Sequence, residues 1–351
     1  MLAPMPDMTA YKEAVRLGIA RAMRADDDVF LFGLDVDDHL GIQGTTLGLA
    51  EEFGAKRCFG TPLSEDAMTG VAIGAAMAGM RPIHTHIRMD FLLLCMNQLV
   101  NIAAKAHYMF GGQVTVPMVA RGIIGKSWGQ GAQHSQGLHS LFMHIPGLHV
   151  VAPATPQDAM TCMMASVADN NPVVFVEHRL LYNREGPVDI SAGASTIGKG
   201  RVCREGGDVT IVGISNMLHD ALKAAALLEQ ANVSAEVIDP IWLAPLDMDL
   251  ITRSVEKTGR LIVADAAWTA CGASAEIVAA VAERVPGVQV ARIGFAPTPC
   301  PTTPSLEKAF YPDAVTICVA AMRLAVPEAS IPPFAAMAED MQQDPVFKGP
   351  F

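Results

Sequence analysis

The chain has 351 residues, 51% of them hydrophobic and 17% charged, so it is long enough for about two domains and too apolar for intrinsic disorder. Its 25 Lys and Arg against 36 Asp and Glu give a formal charge of -11, which repels phosphate backbones and excludes nucleic acid as the expected partner. The longest small and apolar run, Met68–Met80, is too short to cross a bilayer as a helix, so no membrane span is expected.

Met1–Asp7 shows neither a basic region followed by an apolar stretch nor an Arg-rich amphipathic pattern, and the chain is read as cytoplasmic. Thr9–Arg24 then places Ala14, Val15, Leu17 and Ile19 at helical spacing. Apolar strand-like runs follow at Val29–Leu34, Pro82–Ile87, Val116–Arg121, Leu148–Ala152 and Val173–Glu177, with a second helical pattern over Leu93–Ala106. This alternation predicts an α/β fold with a parallel sheet and crossover helices. Around Pro187–Gly207 the periodicity gives way to Gly, Ser and charge, which reads as a linker. A second α/β unit comes next, with strands at Asp208–Gly213, Ala235–Ile238 and Arg260–Ala264 and helices at His219–Ala231 and Ser274–Ala282. From Val326 onward the tail has prolines, methionines and no periodicity, and it ends in Asp344–Phe351 without a helix signal, which reads as a poorly packed extension. The expected division is 1–195, 196–325 and an extended tail over 326–351.

Several motifs admit a structural and a functional reading. Gly70 and Gly74 share a helical face and have no P-loop or dinucleotide-loop chemistry around them, which favours close helix packing. His84 and His86 share one strand face but lack further ligands at a recognisable spacing, so they read as structural rather than as a metal site. The seven cysteines are scattered without a Cys-x-x-Cys pair and read as reduced, buried, small apolar residues. No Gly-x-Ser-x-Gly elbow supports a serine hydrolase. Glu65, after Gly60-Thr61-Pro62-Leu63-Ser64, falls at a helix N-terminus, where an acidic residue is ordinarily favourable. Gly129–Gln136 is a glycine-rich loop dense in hydrogen-bonding side chains, and His134 gives it an imidazole able to carry a proton.

Taken in order, Phe32–Val36, Phe59–Glu65, Phe91, Asn97–Asn101, Ala103–Gly112, Ala132–Gln136, Pro146–Leu148, Asp169–Pro172, Ile238–Asp247 and Trp268–Glu276 resemble a known family. It is the beta subunit of the thiamine-diphosphate-dependent dehydrogenase component of 2-oxo acid dehydrogenase complexes, the pyruvate and acetoin members especially. The resemblance runs from about Thr9 to Leu324 and implies a transketolase-like chain, with a pyrimidine-binding domain followed by a transketolase C-terminal-like domain. It implies that Glu65 hydrogen-bonds a ring nitrogen of the aminopyrimidine and that Phe91 stacks on that ring, with Leu63 and Ile87 lining the pocket. His134 matches the histidine that assists acyl transfer to a lipoyl group. Leu34 and Ile87 stand where polar residues are common in the family, which makes that wall more apolar.

In the family the diphosphate and magnesium are held by the other subunit's Gly-Asp-Gly motif. That motif is missing from this sequence, and Gly206-Gly207-Asp208 has the wrong order. The resemblance therefore implies an alpha partner, a two-alpha two-beta heterotetramer, magnesium held mainly by alpha and a lipoyl-bearing acyltransferase as a further partner. Asp169 and Asn171 match positions near a structural potassium ion, although Asp169–Pro172 also reads simply as a turn. Oxidative decarboxylation of a small pyruvate-like 2-oxo acid, or acetoin cleavage, is the leading expectation. A transketolase-like carboligase and a non-catalytic assembly subunit are the competing ones. Lys126-Ser127-Trp128 and Pro301–Pro304 look specific to this lineage.

Overall fold

The computed structural model describes residues 7–126 and 129–339, which form two compact units. The first takes in the described residues up to 126 together with His134–Ile197, and the second takes in Gly129–Gln133 and the chain from Gly198 onward. In chain order the first unit holds β1 (Asp7–Ala10), α1 (Tyr11–Ala25), β2 (Val29–Gly33), α2 (Leu49–Phe53), β3 (Cys58–Gly60), α3 (Glu65–Met77) and β4 (Arg81–His86). It continues through α4 (Ala104–Met109), β5 (Val119–Ile124), α5 (His139–Met143), β6 (His149–Val151), α6 (Pro156–Ala168), β7 (Val173–His178) and β8 (Glu185–Val188).

Six of these strands lie parallel in the spatial order β6-β7-β5-β4-β2-β3, as the apolar runs predict. Strands β2, β5 and β7 are buried along their whole length, the mark of a sheet covered on both faces. Part of that cover comes from α1 and α6, which pack closely at Gly18, where an added Cβ would sit 2.8 Å from the Met160 carbonyl oxygen. Strand β3 lies on one side of β2 and β4 on the other, so the carboxyl end of β2 is a topological switch point. Strands β1 and β8 form a separate antiparallel ribbon.

The second unit contains β9 (Arg201–Arg204), β10 (Val209–Gly213), α7 (Met217–Gln230), β11 (Ala235–Asp239), β12 (Trp242–Ala244), α8 (Met248–Thr258) and β13 (Arg260–Trp268). After these come α9 (Ala273–Arg284), β14 (Gln289–Phe295), α10 (Pro304–Phe310), α11 (Ala314–Ala325) and α12 (Phe334–Glu339). Its sheet runs β14-β13-β10-β11-β9, parallel except for β9. Asp247 and Asp313 cap α8 and α11 by accepting from the Leu250 and Thr316 amides at 3.3 and 2.8 Å.

Five expectations need correction. The strand expected at Val116–Arg121 begins at Val119 instead, because Pro117 has no N–H to give to a ladder. Leu93–Ala106 is not one α-helix: 3₁₀ turns over Met89–Cys95 and π-helical turns over Asn97–Ala103 lead into α4. Gly70 and Gly74 are exposed on α3, and a Cβ added at either meets no described atom within 4 Å, so the expected close packing is not made within this chain. Cys203 is half-buried and Cys271 exposed, whereas the other five cysteines are buried as expected. The tail forms α12, which begins after Pro332-Pro333 and buries Phe334. Met1–Pro6, Ser127, Trp128 and the tail from 340 lie outside the described residues. Among those described, no helix is long and apolar enough to cross a membrane.

Candidate active site

The residues singled out from the sequence collect at the carboxyl ends of the first unit's strands, the edge where open α/β sheets bind ligands. Strand β3 ends at Gly60, a short turn follows, and Glu65 is the first residue of α3. Its carboxylate sits at the positive end of that helix and is half-buried. It makes no hydrogen bond or ion pair with any described residue. Leu63, two residues before it, is 71% exposed.

Strand β4 ends at His86, and half-exposed Ile87 leads into the 3₁₀ turns that carry Phe91. Helix α3 packs directly on those turns. The proximity of Glu65 registers on Cys95 at their far end. Burial pushes that thiol up to about 11, and the charges of Glu65 and Asp66 add to the rise against a lowering hydrogen bond from Thr69.

The loop after β5 brings His134 against Phe91, edge to face, with ring centroids 5.2 Å apart. A contact that sequence reasoning missed lies beside it. Asp90 is buried, and its Oδ1 accepts from both the Gln136 amide (3.3 Å) and the Gln136 side chain (2.8 Å). Burial raises the Asp90 carboxyl above its ordinary range despite those donors and the charge of Arg88. Aspartate one residue before the stacking aromatic was the available signal, and neither spacing nor periodicity ranks it above an ordinary turn residue.

His84 and His86 stand apart from this chemistry. His84 stacks on Phe32 at 4.5 Å, with Thr69 Oγ1 at 3.2 Å and His86 Nε2 at 3.1 Å from its Nδ1. Among the described residues no group of three or more His, Cys, Asp or Glu could hold a metal ion. Burial pushes the His84 imidazole down to about 4 and His86 well below its ordinary value. A depressed folded-state pKa gives stability that is fully present above the unfolded value near 6.5 and lost as pH falls toward the folded one. Lowering pH from 7 to 5 should therefore remove about 2 kcal/mol through His84, and urea midpoints of wild type and His84→Leu should converge toward pH 5. Parallel midpoints over that range would contradict the assignment.

Asp169 and Asn171 lie at the opposite edge, before the start of β7. One Asp169 oxygen accepts from the Asn171 main-chain and side-chain amides (3.1 and 2.9 Å) and the other meets His149 Nδ1 at 2.5 Å. Arg81 donates to the Val167 and Asp169 carbonyls at 2.8 and 3.1 Å. These contacts close Asp169–Pro172 as a turn on its own hydrogen bonds, and both Asp169 carboxylate oxygens hold protein donors. Asp208 is likewise engaged, accepting from the Ser234 amide at 2.7 Å, which suits a turn and not a diphosphate motif.

Residues 7–185 match the transketolase pyrimidine binding domain and residues 198–317 match the transketolase C-terminal domain. The chain is 42% identical over 327 residues to the beta subunit of acetoin:2,6-dichlorophenolindophenol oxidoreductase from Cupriavidus necator, covering 90% of this chain and 96% of that one. The chain belongs to the transketolase-like beta subunits. Another member, the mitochondrial pyruvate dehydrogenase E1 component subunit beta of Pisum sativum, is 39% identical over 319 residues, 89% of each chain. In fold, this beta subunit is similar to a solved structure described as a split gene transketolase, inactive beta4 tetramer, with a TM-score of 0.77, 19% identity and coverage of 92% and 100%. A half-buried carboxylate without a partner among the described residues, on a helix packed against an aromatic-bearing turn, fits the polar edge and flat face of an aminopyrimidine.

Proposed function

We infer that this chain is the beta subunit of a thiamine-diphosphate-dependent 2-oxo acid dehydrogenase. It would decarboxylate a small pyruvate-like acid, or cleave acetoin, and pass the acyl group to a lipoyl carrier. The observation that carries the reading is the Glu65 carboxylate, which has no partner among the described residues and is held on the helix that packs against the turns bearing Phe91. When bound, thiamine diphosphate supplies an electron sink for the negative charge left as carbon dioxide departs. Glu65 holds a proton at a pyrimidine ring nitrogen and fixes its position. Phe91 binds the ring face, while Leu63 and Ile87 exclude water from its edges. His134 moves a proton as the acyl group is transferred.

The diphosphate and its magnesium fall to an alpha partner in a two-alpha two-beta assembly. Potassium has no part in this reading, because the Asp169 carboxylate already holds protein donors. The domain division is placed at 195/196, with 326–351 as an extension, and the compartment that fits is the cytoplasm. Turnover of the complex reconstituted with its alpha partner tests the reading, with pyruvate and acetoin as substrates and a dichlorophenolindophenol or lipoyl-domain acceptor. Acceptor reduction that depends on thiamine diphosphate is expected. Carbon–carbon bond formation without any acceptor would favour a carboligase, and no turnover with bound cofactor would favour an assembly subunit.

A further inference from the structure

We propose that Asp90 is a positioning residue for His134, bracing the loop that carries it so that the imidazole stays against Phe91. The proposal rests on the reading of His134 as the proton-transfer group of acyl transfer. Its basis is a two-point contact between short segments. Asp90 and Phe91 are neighbours on the 3₁₀ turns, and His134 and Gln136 are two residues apart on the loop. Asp90 Oδ1 takes the Gln136 main-chain N–H and the Gln136 side-chain amide, while the Phe91 ring meets the His134 ring at 5.2 Å and an interplanar angle of 75°.

Each contact removes a different freedom. Fixing the Gln136 N–H sets the orientation of the peptide two residues beyond His134, so the path of the backbone through Ser135 is held. Ser135 is buried, and its hydroxyl has no hydrogen-bond partner among the described residues, so the loop is not held there by its own polar group. The Phe91 ring then limits the rotation that remains to the His134 side chain. Loss of the brace would leave the chemistry of the imidazole intact and its placement loose. A displacement of about 1 Å at a reacting group can cost on the order of 100-fold in rate.

Asp90 is a costly choice for a merely structural contact. It is only 6% exposed, and its Oδ2 has no hydrogen-bond partner among the described residues. A buried carboxylate oxygen without a donor is unfavourable. Asparagine would offer Gln136 the same carbonyl-type acceptor without a buried charge, which makes Asp90→Asn the natural rescue variant.

The test is a double-mutant cycle in the holo complex with its alpha partner, reading kcat and KM for acyl transfer to a lipoyl domain. Asp90→Ala should lower kcat by about 10- to 100-fold with KM little changed, and Asp90→Asn should recover most of that loss. In a His134→Ala background, Asp90→Ala should cost nothing further, because a residue that acts through another has no effect once the other is gone. Equal losses of kcat in both backgrounds, or no loss in either, would overturn the proposal. If His134→Ala itself leaves turnover unchanged, the acid–base assignment fails, and the brace is then read without activity. Diethyl pyrocarbonate labelling of His134 in the full chain should be several-fold faster in Asp90→Ala than in wild type. Exposed His107, held by the Val114 carbonyl, should be labelled at an unchanged rate. Equal His134 rates in the two proteins would overturn the brace itself.

Discussion

Replacing Glu65 with Gln should lower cofactor-dependent turnover of the reconstituted complex by about 100- to 10,000-fold, the range expected when a positioned acid–base group is removed. The substitution keeps the shape and hydrogen-bonding reach of the side chain. It removes the carboxylic group that can share a proton with a ring nitrogen. The cost to the fold should be small, because losing one charge from the first turn of α3 forfeits only about 0.3–1 kcal/mol of helix-dipole interaction. Glu65 has no described protein partner to leave stranded, so the loss should fall on kcat, with an unchanged urea midpoint as the control. Undiminished turnover would contradict the role assigned to Glu65.

The largest effect on stability should come from Glu177. Its carboxylate and the Arg121 guanidinium are both fully buried and joined in a fork, Nε to Oε1 at 2.6 Å and Nη2 to Oε2 at 3.0 Å. Tyr182 also donates to Oε2 at 3.0 Å, while Arg121 reaches Thr45 at 3.0 Å and Thr85 at 3.3 Å. Burial disfavours the charge on Arg121, but the adjacent carboxylate outweighs it and raises the guanidinium pKa overall. Glu177→Ala should therefore destabilise the chain by about 3–5 kcal/mol, because it strands a buried cation between β5 and β7. Glu177→Gln should cost less, since it retains acceptors for the guanidinium. Urea denaturation measures both, and a loss below about 1 kcal/mol for the alanine variant would show that the pair is solvated or replaceable.

The parallel α/β architecture was legible because the central strands of the first unit's sheet, β2, β4, β5 and β7, are buried along nearly their whole length. Val29–Gly33 and Val173–Val176 accordingly read as unbroken apolar runs. Short and edge elements were not legible. Strand β3 has three residues, and β14 is largely exposed, so neither carries a periodic signal. The change of winding between Met89 and Met109 was hidden because apolar side chains recur every three to five residues in 3₁₀, α and π turns alike.

Glu65, Phe91 and His134 were singled out through resemblance and ordered motifs, while spacing alone left Glu65 an ordinary first-turn acid. The structure adds that β3 and β4 end on either side of β2, which places Glu65 and Phe91 beside a switch point. The Asp90–Gln136 contact depends on two loops meeting in space, so no pattern within either segment announces it.

The central claim is that this chain holds the pyrimidine half of a cofactor site completed by another subunit. Calorimetric titration of thiamine diphosphate with magnesium measures this directly, first into the chain alone and then into its complex with the alpha partner. The predicted result is binding only in the complex, one cofactor per alpha–beta pair, weakened by Glu65→Gln. Equal affinity for the isolated chain, or no binding by the complex, would contradict the account.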